Sequence, residues 1–279
     1  MNTQKENVWF ITGASQGMGL AITRAALESG GKVIATSRNT DALLEKIVSH
    51  RDNVLPLTLD ITNEKDVQKA ISKGVEHFGR IDIVINNAGY NLLGNIEELS
   101  DFEFRKTMDV NLFAVTHIIR NVLPVMRKQK SGHIINTASI MGYMSYPGNG
   151  SYSASKYAVI GLSEALAQEV SPFGIKVTIL APGTFRTNFM SEDTLNVAKN
   201  KIDVYNLEEQ TAQFTRFDGK QLGDPEKLAE VVLKITEMAI PPLHLPLGSD
   251  SYHAILEIRK NEKKEMEKWK SLSLSTDFK

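Results

Sequence analysis

The stretch Val-Trp-Phe-Ile-Thr-Gly-Ala-Ser-Gln-Gly-Met-Gly, residues 8–19, runs from an apolar segment of strand type into a turn with three glycines. A helical pattern, residues 20–27, follows directly. Glycine tolerates the turn and offers no Cβ to obstruct a ligand, while the free N–H groups of a helix N-terminus attract phosphate. The strand-glycine-helix order therefore favours a dinucleotide site over a plain tight turn. The turn residues expected to contact the dinucleotide are Gly13, Ser15, Gln16, Gly17, Met18 and Gly19.

Further apolar segments of strand length alternate with helical patterns at residues 32–37, 54–59, 81–86, 132–138 and 176–181. They are apolar throughout rather than alternating, which is typical of strands covered on both faces. This order predicts an α/β fold, a Rossmann-like doubly wound parallel sheet with helices on both faces. No linker or repeat divides the chain, so we expect a single domain over residues 1–279.

The alternation of strands and helices stops after residue 183, and the last hundred residues predict four further features. Residues 184–222, with scattered large apolar side chains, are interpreted as a substrate-facing lid. Asp224 is expected to cap a helix over residues 226–238. Residues 243–247 predict an edge strand, and Asp250 or Ser251 is expected to cap a helical extension over about residues 250–270.

Composition narrows the classes of function. The chain has 279 residues, a net charge of −1 and no cysteine. A net charge this close to zero gives no overall positive potential that would attract nucleic acid or an anionic membrane surface. The lack of cysteine excludes disulfides and thiolate metal sites. The six histidines have no ligand spacing, so no metal is expected. The first apolar segment is too short for a signal peptide or a membrane span, so we expect a cytoplasmic protein.

The end of the second strand, Thr-Ser-Arg-Asn at residues 36–39, lacks the acid that many dinucleotide-binding folds place there for the ribose 2′-hydroxyl. With no carboxylate to repel it, a 2′-phosphate can pair with the guanidinium of Arg38 beside Ser37. This pattern favours NADP(H) over NAD(H) as the cofactor. The alternative is that Arg38 is only a loop arginine.

Tyr152 and Lys156 lie four residues apart in a segment with good helix formers and no proline. Positions four apart share a helix face, and an adjacent ammonium is expected to lower the pKa of a phenol toward neutral pH. Such a phenol can act as a general acid or base. Taken alone, the spacing is more typical of a surface helix on which the two side chains happen to be neighbours.

Five motifs in chain order turn these observations into a family resemblance. They are Thr12-Gly13-x-x-x-Gly17-x-Gly19, Asn86-Asn87-Ala88-Gly89, Asn111, Ser139 and Tyr152-x-x-x-Lys156. With these motifs the chain resembles the short-chain dehydrogenase/reductase family over nearly its whole length, departing only from about residue 190 onward.

The resemblance implies the catalytic roles. Tyr152 would exchange the proton at the substrate oxygen, Ser139 would donate a hydrogen bond to that oxygen, and Lys156 would lower the pKa of Tyr152 and bind the nicotinamide ribose. Asn111, in a helix that is locally irregular in the family, would hold a water next to the lysine.

The resemblance also implies further cofactor contacts along the chain. Asp60 would bind the adenine ring, although it could equally cap the following helix. The remaining contacts would come from Ile61, Asn87, Ala88, Gly89, Pro182, Gly183, Phe185 through its backbone, and Thr187.

These features together predict an NADP(H)-dependent oxidoreductase that interconverts a carbonyl and a secondary alcohol. Apolar side chains near the predicted site, Met141, Tyr146, Phe185, Phe189 and Met190, favour a mainly apolar, uncharged small-molecule substrate. Two alternatives remain open, a catalytically silent dinucleotide-binding regulatory protein and an epimerase or dehydratase that uses the same tyrosine and lysine.

Two helices, residues 101–128 and the one that carries Tyr152, are apolar around most of their girth. A second subunit is a plausible cover for the faces that the sheet leaves free, so we expect a homo-oligomer, dimer or tetramer. Cover by other parts of the same chain is the alternative.

Overall fold

The computed structural model describes residues 6–278, and a seven-stranded parallel sheet forms its centre. The strand order is β3-β2-β1-β4-β6-β7-β9, and a separate two-stranded sheet pairs β5 with β8. The strands are β1 (Val8–Thr12), β2 (Lys32–Ser37), β3 (Val54–Thr58), β4 (Ile83–Asn86), β5 (Leu92–Leu93), β6 (Gly132–Thr137), β7 (Ile175–Pro182), β8 (Asn196–Val197) and β9 (His244–Leu247).

The helices pack on both faces of this sheet. They are α1 (Gly17–Glu28), α2 (Thr40–Leu44), α3 (Glu64–Phe78), α4 (Asp101–Met108), α5 (Ala114–Gln129), α6 (Gly150–Val170), α7 (Leu207–Thr215), α8 (Pro225–Glu237), α9 (Ser249–Lys268) and α10 (Lys270–Leu274). The predicted α/β, Rossmann-like doubly wound fold is confirmed. The expected single domain also included residues 1–5 and 279, which lie outside the described residues.

Two hydrophobic clusters explain why the strands are apolar throughout. In β1, Val8 and Phe10 point into the cluster under α3, α5 and α6, whereas Trp9 and Ile11 point into the cluster under α1 and α8. Because both faces of the sheet are covered, each residue of the strand is buried.

The predicted bounds hold for β1 and β2 and differ by one or two residues at β3, β4, β6, β7 and β9, whereas β5 and β8 were not predicted. Asp224 caps α8 as predicted, since its carboxylate accepts from the N–H of Glu226. The predicted cap of the last helix was wrong, although the helix itself lies close to its predicted bounds. It begins at Ser249 after Gly248, and Asp250 lies inside its first turn with its carboxylate turned toward Thr184.

The apolar side chains of α5 and α6 are largely covered by other parts of the same chain. Val159, Ile160, Leu166 and Val170 of α6 are buried, and so are most apolar side chains of α5. The sequence argument for a partner subunit therefore loses its main support, and the homo-oligomer stays a prediction. Within residues 6–278, no helix is long and apolar enough to cross a membrane.

Candidate active site

The sheet order reverses between β1 and β4, and open α/β sheets bind ligands outside the carboxyl ends of the strands at such a point. Thr12 joins the two strand ends here. Its hydroxyl oxygen accepts from the N–H groups of Asn87 and Ala88, both at 3.0 Å, and its carbonyl accepts from the Asn87 amide at 3.1 Å. Sequence reasoning quoted Thr12 in a motif but gave it no role, because its partners lie 75 and 76 residues away.

The glycine turn between β1 and α1 is built as a phosphate site requires. Gly13 and Gly17 have φ values of 66° and 53°, where a side chain would be strained. A Cβ on Gly19 would overlap the Gly13 carbonyl oxygen. The cap residue of α1, Gln16, makes no side-chain cap bond, and the first turn carries no acid. The N–H groups of this helix end are therefore free to bind an anion, which fits a dinucleotide phosphate.

The adenosine end of the predicted site lies beyond β2. Ser37 donates to the Ser15 hydroxyl at 2.8 Å, which ties the end of β2 to the glycine turn, and Arg38 is exposed. Lys46 also reaches the turn, donating to the Ser15 carbonyl at 3.0 Å, and sequence reasoning missed it. No motif marks this lysine.

Asp60 is exposed after β3 and does not cap α3, because Asn63 does so. The hydroxyl and the N–H of Thr62 donate to the Asp60 carboxylate and lower its pKa, with a smaller contribution from the charge of Arg38 and opposition from burial. Arg38 is thus close enough to Asp60 for their charges to interact. Ile61, next to Asp60, is half-buried.

Tyr152 and Lys156 lie on α6 and are both buried, at 7% and 4% exposure. The ammonium is 5.6 Å from the centre of the phenol ring and donates to the Thr137 carbonyl at 2.8 Å. Among the described residues no carboxylate pairs with this ammonium, so two of its three N–H donors have no protein partner. A buried cation with free donors fits the hydroxyls of a nucleotide ribose.

The expected lowering of the Tyr152 pKa by Lys156 is not what the structure shows. Burial raises the pKa of Tyr152 to about 12, and the Ser139 hydroxyl opposes this only in part. Burial also lowers the pKa of Lys156 to about 8. Both shifts have one cause, because a buried site disfavours whichever form is charged.

Ser139 follows β6 and is buried at 6% exposure. Its hydroxyl oxygen accepts from the N–H of Met141 at 3.1 Å, which leaves the O–H free to donate. Ser139 is also near enough to Tyr152 for its hydroxyl to lower the pKa of the phenol. A substrate oxygen can therefore meet the two O–H donors together.

Asn111 lies in a π-helical turn, Asp109–Phe113, between α4 and α5, as the expected irregularity requires. Its side chain accepts from the N–H of Tyr90 at 3.1 Å and donates to the Tyr90 carbonyl at 2.9 Å and the Ser155 hydroxyl at 3.1 Å. A Cβ on Gly89 would lie 3.0 Å from Asn111 Oδ1 and 3.6 Å from Lys156 Nζ. Asn111, Gly89 and Lys156 are therefore adjacent, and the water next to the lysine stays a prediction.

The segment after β7 returns to the glycine turn. Thr187 lies against Gly17, where a Cβ would be 3.3 Å from the threonine Cβ. Asp250 fixes the start of this segment, because its Oδ2 accepts from the N–H and the hydroxyl of Thr184 at 2.7 and 2.8 Å. A Cβ on Gly183 would overlap that carboxylate. Pro182 is the last residue of β7.

The five predicted substrate-pocket residues fall into three groups. Phe189 lies over Tyr152, with ring centres 5.9 Å apart, and Met141 and Met190 are nearly buried. Tyr146 is 55% exposed. Phe185 was wrongly placed in the pocket, because its ring belongs to the hydrophobic cluster of α1 and α8 and lies against Gly223.

Residues 6–278 contain no group of three or more histidine, cysteine, aspartate or glutamate side chains placed to hold a metal ion.

Known proteins are similar to this chain in sequence. A family model described as short chain dehydrogenase matches residues 7–198. Oxidoreductase BOA17 of Botryotinia fuckeliana is 37% identical over 270 residues, 96% of this chain and 98% of that protein. The 3-ketodihydrosphingosine reductase of Bacteroides thetaiotaomicron is 36% identical over 239 residues, 85% of this chain and 86% of that protein.

Solved structures agree with the fold and include dinucleotide complexes. A short-chain dehydrogenase from Streptomyces avermitilis is similar with a TM-score of 0.91 and 34% identity, over 98% of this chain and 100% of that chain. ElxO with NADP bound has a TM-score of 0.73 and 26% identity, over 87% and 97%. A short chain dehydrogenase/reductase from Burkholderia phymatum in complex with NAD has a TM-score of 0.79 and 27% identity, over 96% and 97%. Neighbours of this fold thus bind either dinucleotide.

Proposed function

The chain belongs to the short-chain dehydrogenase family, and from this oxidoreductase membership we propose that it is an NADP(H)-dependent enzyme interconverting a carbonyl and a secondary alcohol. The observation that carries the proposal is the buried Lys156 ammonium, which has no carboxylate partner among residues 6–278 and keeps donors free beside Tyr152. An uncompensated buried charge costs free energy and is retained where a ligand uses it.

The bound dinucleotide would supply or accept the hydride at the substrate carbon. Tyr152 would donate its phenolic proton to the carbonyl oxygen during reduction and take a proton back during oxidation. The Ser139 hydroxyl would donate a hydrogen bond to the same oxygen and hold it in place. Lys156 would bind the nicotinamide ribose with its free N–H donors, and Asn111 would hold the water that connects the lysine to solvent.

Preference for NADP(H) is supported by Arg38, which is exposed at the end of β2 and can pair with a 2′-phosphate, in a segment, residues 36–39, that carries no carboxylate of its own. The NADP bound to ElxO is consistent with this, whereas the NAD bound to the Burkholderia phymatum protein shows that the fold alone does not decide.

A mainly apolar, uncharged substrate is supported by Phe189 over the Tyr152 ring and by Met141 and Met190 nearby. One relative is named a 3-ketodihydrosphingosine reductase, so its named substrate is a ketone. The cytoplasmic location and the homo-oligomer stay predictions from the sequence.

The test is NADPH oxidation in the presence of a panel of ketones, aldehydes and keto acids, with the wild type, Tyr152→Phe and Tyr157→Phe. Tyr157 is a matched control, because it lies on the same helix and is 48% exposed. Tyr152→Phe should lose turnover by about 10²–10⁴-fold while NADPH still binds, and Tyr157→Phe should remain active. Binding of NADPH by all three proteins with turnover by none would support a silent binder. Conversion without net cofactor oxidation would support an epimerase.

A further inference from the structure

Residues 90–103, here called the bridge segment, connect the predicted catalytic residues to the lid. On the catalytic side, Asn111 holds the N–H and the carbonyl of Tyr90. The buried amide of Asn91 donates to the Asn149 side chain at 3.0 Å, and the N–H of Gly94 donates to the Gly148 carbonyl at 2.8 Å. Residues 148–149 directly precede α6, so the bridge segment is fixed to the start of the Tyr152 helix.

On its other side the bridge segment holds the lid. The pairing of β5 with β8 continues in a bond from the N–H of Ala198 to the Leu93 carbonyl at 2.7 Å. The N–H of Lys199 donates to Glu103 at 3.2 Å, and the Tyr205 hydroxyl donates to Glu97 at 2.7 Å. Residues 196–205 of the lid are therefore attached to the body along one edge.

Glu98 is the buried centre of this attachment, with 0% exposure. One carboxylate oxygen accepts from the N–H and the side-chain amide of Asn95, at 3.0 and 2.8 Å. The other accepts from the N–H of Ile202, a lid residue 104 positions away, at 3.0 Å. Among the described residues no lysine, arginine or histidine forms an ion pair with Glu98. Only N–H donors compensate the buried charge.

Those donors determine the state of the carboxyl. Burial alone raises the pKa of Glu98, but the N–H of Ile202 and the two donors of Asn95 together outweigh burial and leave the pKa below its ordinary value. The carboxylate is thus charged at neutral pH, and a charged acceptor forms stronger hydrogen bonds than a neutral one.

We propose that Glu98 is a positioning residue for the substrate: it joins the bridge segment to the lid and so fixes the lid residues that lie over Tyr152. The lid carries Phe189, whose ring centre is 5.9 Å from that of Tyr152, and Met190. Glu98 acts on the affinity for the apolar part of the substrate and has no part in proton or hydride transfer. The effect on substrate rests on the proposed function, whereas the attachment of the lid does not.

The experiment compares Glu98→Gln with Glu76→Gln in the full-length protein. Glutamine keeps the size of Glu98 but loses the charge and turns an N–H₂ group toward N–H donors. The KM for the best apolar ketone of the panel should rise about tenfold, as loss of a hydrogen bond to a charged group implies. The kcat and the Kd for NADPH should stay within about twofold, because the substitution leaves the catalytic side chains in place. Glu76 is the matched control, since it is exposed on α3, so its replacement should change KM by less than about twofold.

Limited trypsin digestion gives a readout that needs no turnover. Lys199 and Lys201 lie in the attached part of the lid, and both are exposed. Cleavage after these two residues should be about tenfold faster in Glu98→Gln, since local opening exposes the chain, while cleavage after Lys65 and Lys69 on α3 should not change. Equal cleavage of the lid in wild type and Glu98→Gln, or equal effects of the two glutamine variants, would overturn the proposal.

A second variant tests the proposal if Glu98→Gln does not fold. Asn95→Ala removes one donor to the same carboxylate and leaves the charge in place, so it should shift lid cleavage and KM in the same direction by a smaller factor. If the wild type turns over none of the carbonyl compounds, the proposed function fails, and the cleavage ratio alone decides whether Glu98 anchors the lid.

Discussion

Replacing Lys156 with methionine is expected to stabilise the folded protein at pH 7 while it removes activity. The lysine is 4% exposed and its ammonium makes one hydrogen bond, to the Thr137 carbonyl. Burial lowers the pKa of Lys156 from 10.5 to about 8. This drop corresponds to about 3 kcal/mol of unfavourable free energy for the charged form in the folded state, at about 1.4 kcal/mol for each pKa unit.

Methionine has a similar length and no charge, so it removes that cost, but it also loses the bond to Thr137, worth about 1 kcal/mol. The net gain at pH 7 is therefore about 2 kcal/mol. For a protein of this size the melting temperature should rise by roughly 4–8 °C. Turnover should be lost, because the variant has no N–H donors for the ribose.

The pH dependence makes this prediction specific. The folded-state pKa of Lys156 is depressed, so between about pH 8 and 10.5 the unfolded chain binds the proton more tightly than the folded chain does. The stability of the wild type, relative to the variant, therefore rises across that window. The advantage of Lys156→Met should fall from about 2 kcal/mol at pH 7 to near zero at about pH 10.

Urea unfolding without cofactor, at pH 7 and pH 10, measures both quantities. Lys65→Met on α3 is the control, because Lys65 is exposed and its replacement should change the free energy of unfolding by less than about 0.5 kcal/mol. A Lys156→Met protein that is less stable than wild type at pH 7, or a difference that does not change with pH, would refute the reasoning from burial.

Two further substitutions test the cofactor site. Arg38→Asp should raise the Kd for NADPH about 10–100-fold and leave that for NADH nearly unchanged, since only the 2′-phosphate loses a charge-assisted hydrogen bond; fluorescence titration with both dinucleotides measures the two constants. Asp250→Ala removes both bonds to Thr184 and should lower the free energy of unfolding by about 1–3 kcal/mol and weaken NADPH binding several-fold, as thermal unfolding and the same titration would show. Equal losses for NADH and NADPH in the first variant, or unchanged NADPH binding in the second, would contradict these roles.

The sequence predicts the sheet and the glycine turn because their signals are local. A buried parallel strand is apolar at each position, so β1 and β2 begin and end at the predicted residues. The π-helical turn at Asn111 was expected only through the family resemblance, since no residue pattern in 101–128 marks it. The structure of residues 184–222, the predicted lid, could not be predicted in detail, because β8 is two residues long and its partners lie about a hundred positions earlier.

Two errors have a common physical origin in contacts between distant parts of the chain. Asp250 has the sequence signature of a helix cap, but Thr184 offers it two donors and Gly183 leaves room for its carboxylate. Phe185 is a large apolar residue in the segment predicted to face the substrate. Its ring packs in the core instead, because Gly223 lacks the Cβ that would exclude it. In each case a glycine distant in sequence, Gly183 for Asp250 and Gly223 for Phe185, leaves the space that the side chain occupies.

The pKa of Tyr152 leads to a last prediction, about the direction of the reaction. Spacing alone suggested a phenol activated by a neighbouring ammonium, but burial raises the pKa of Tyr152 to about 12. The Lys156 ammonium donates instead to the Thr137 carbonyl. The phenol is then protonated across the neutral range, which is the form that donates to a carbonyl oxygen. Oxidation of an alcohol needs the phenolate, so its kcat should rise with pH from 7 to 10. The kcat for carbonyl reduction should change little below about pH 7, because Lys156, with a pKa of about 8, is still mostly charged there. Initial rates in both directions at saturating substrate, from pH 6 to 10, measure this. Parallel pH profiles would mean that proton exchange at Tyr152 does not limit either direction and would contradict its role as the general acid and base.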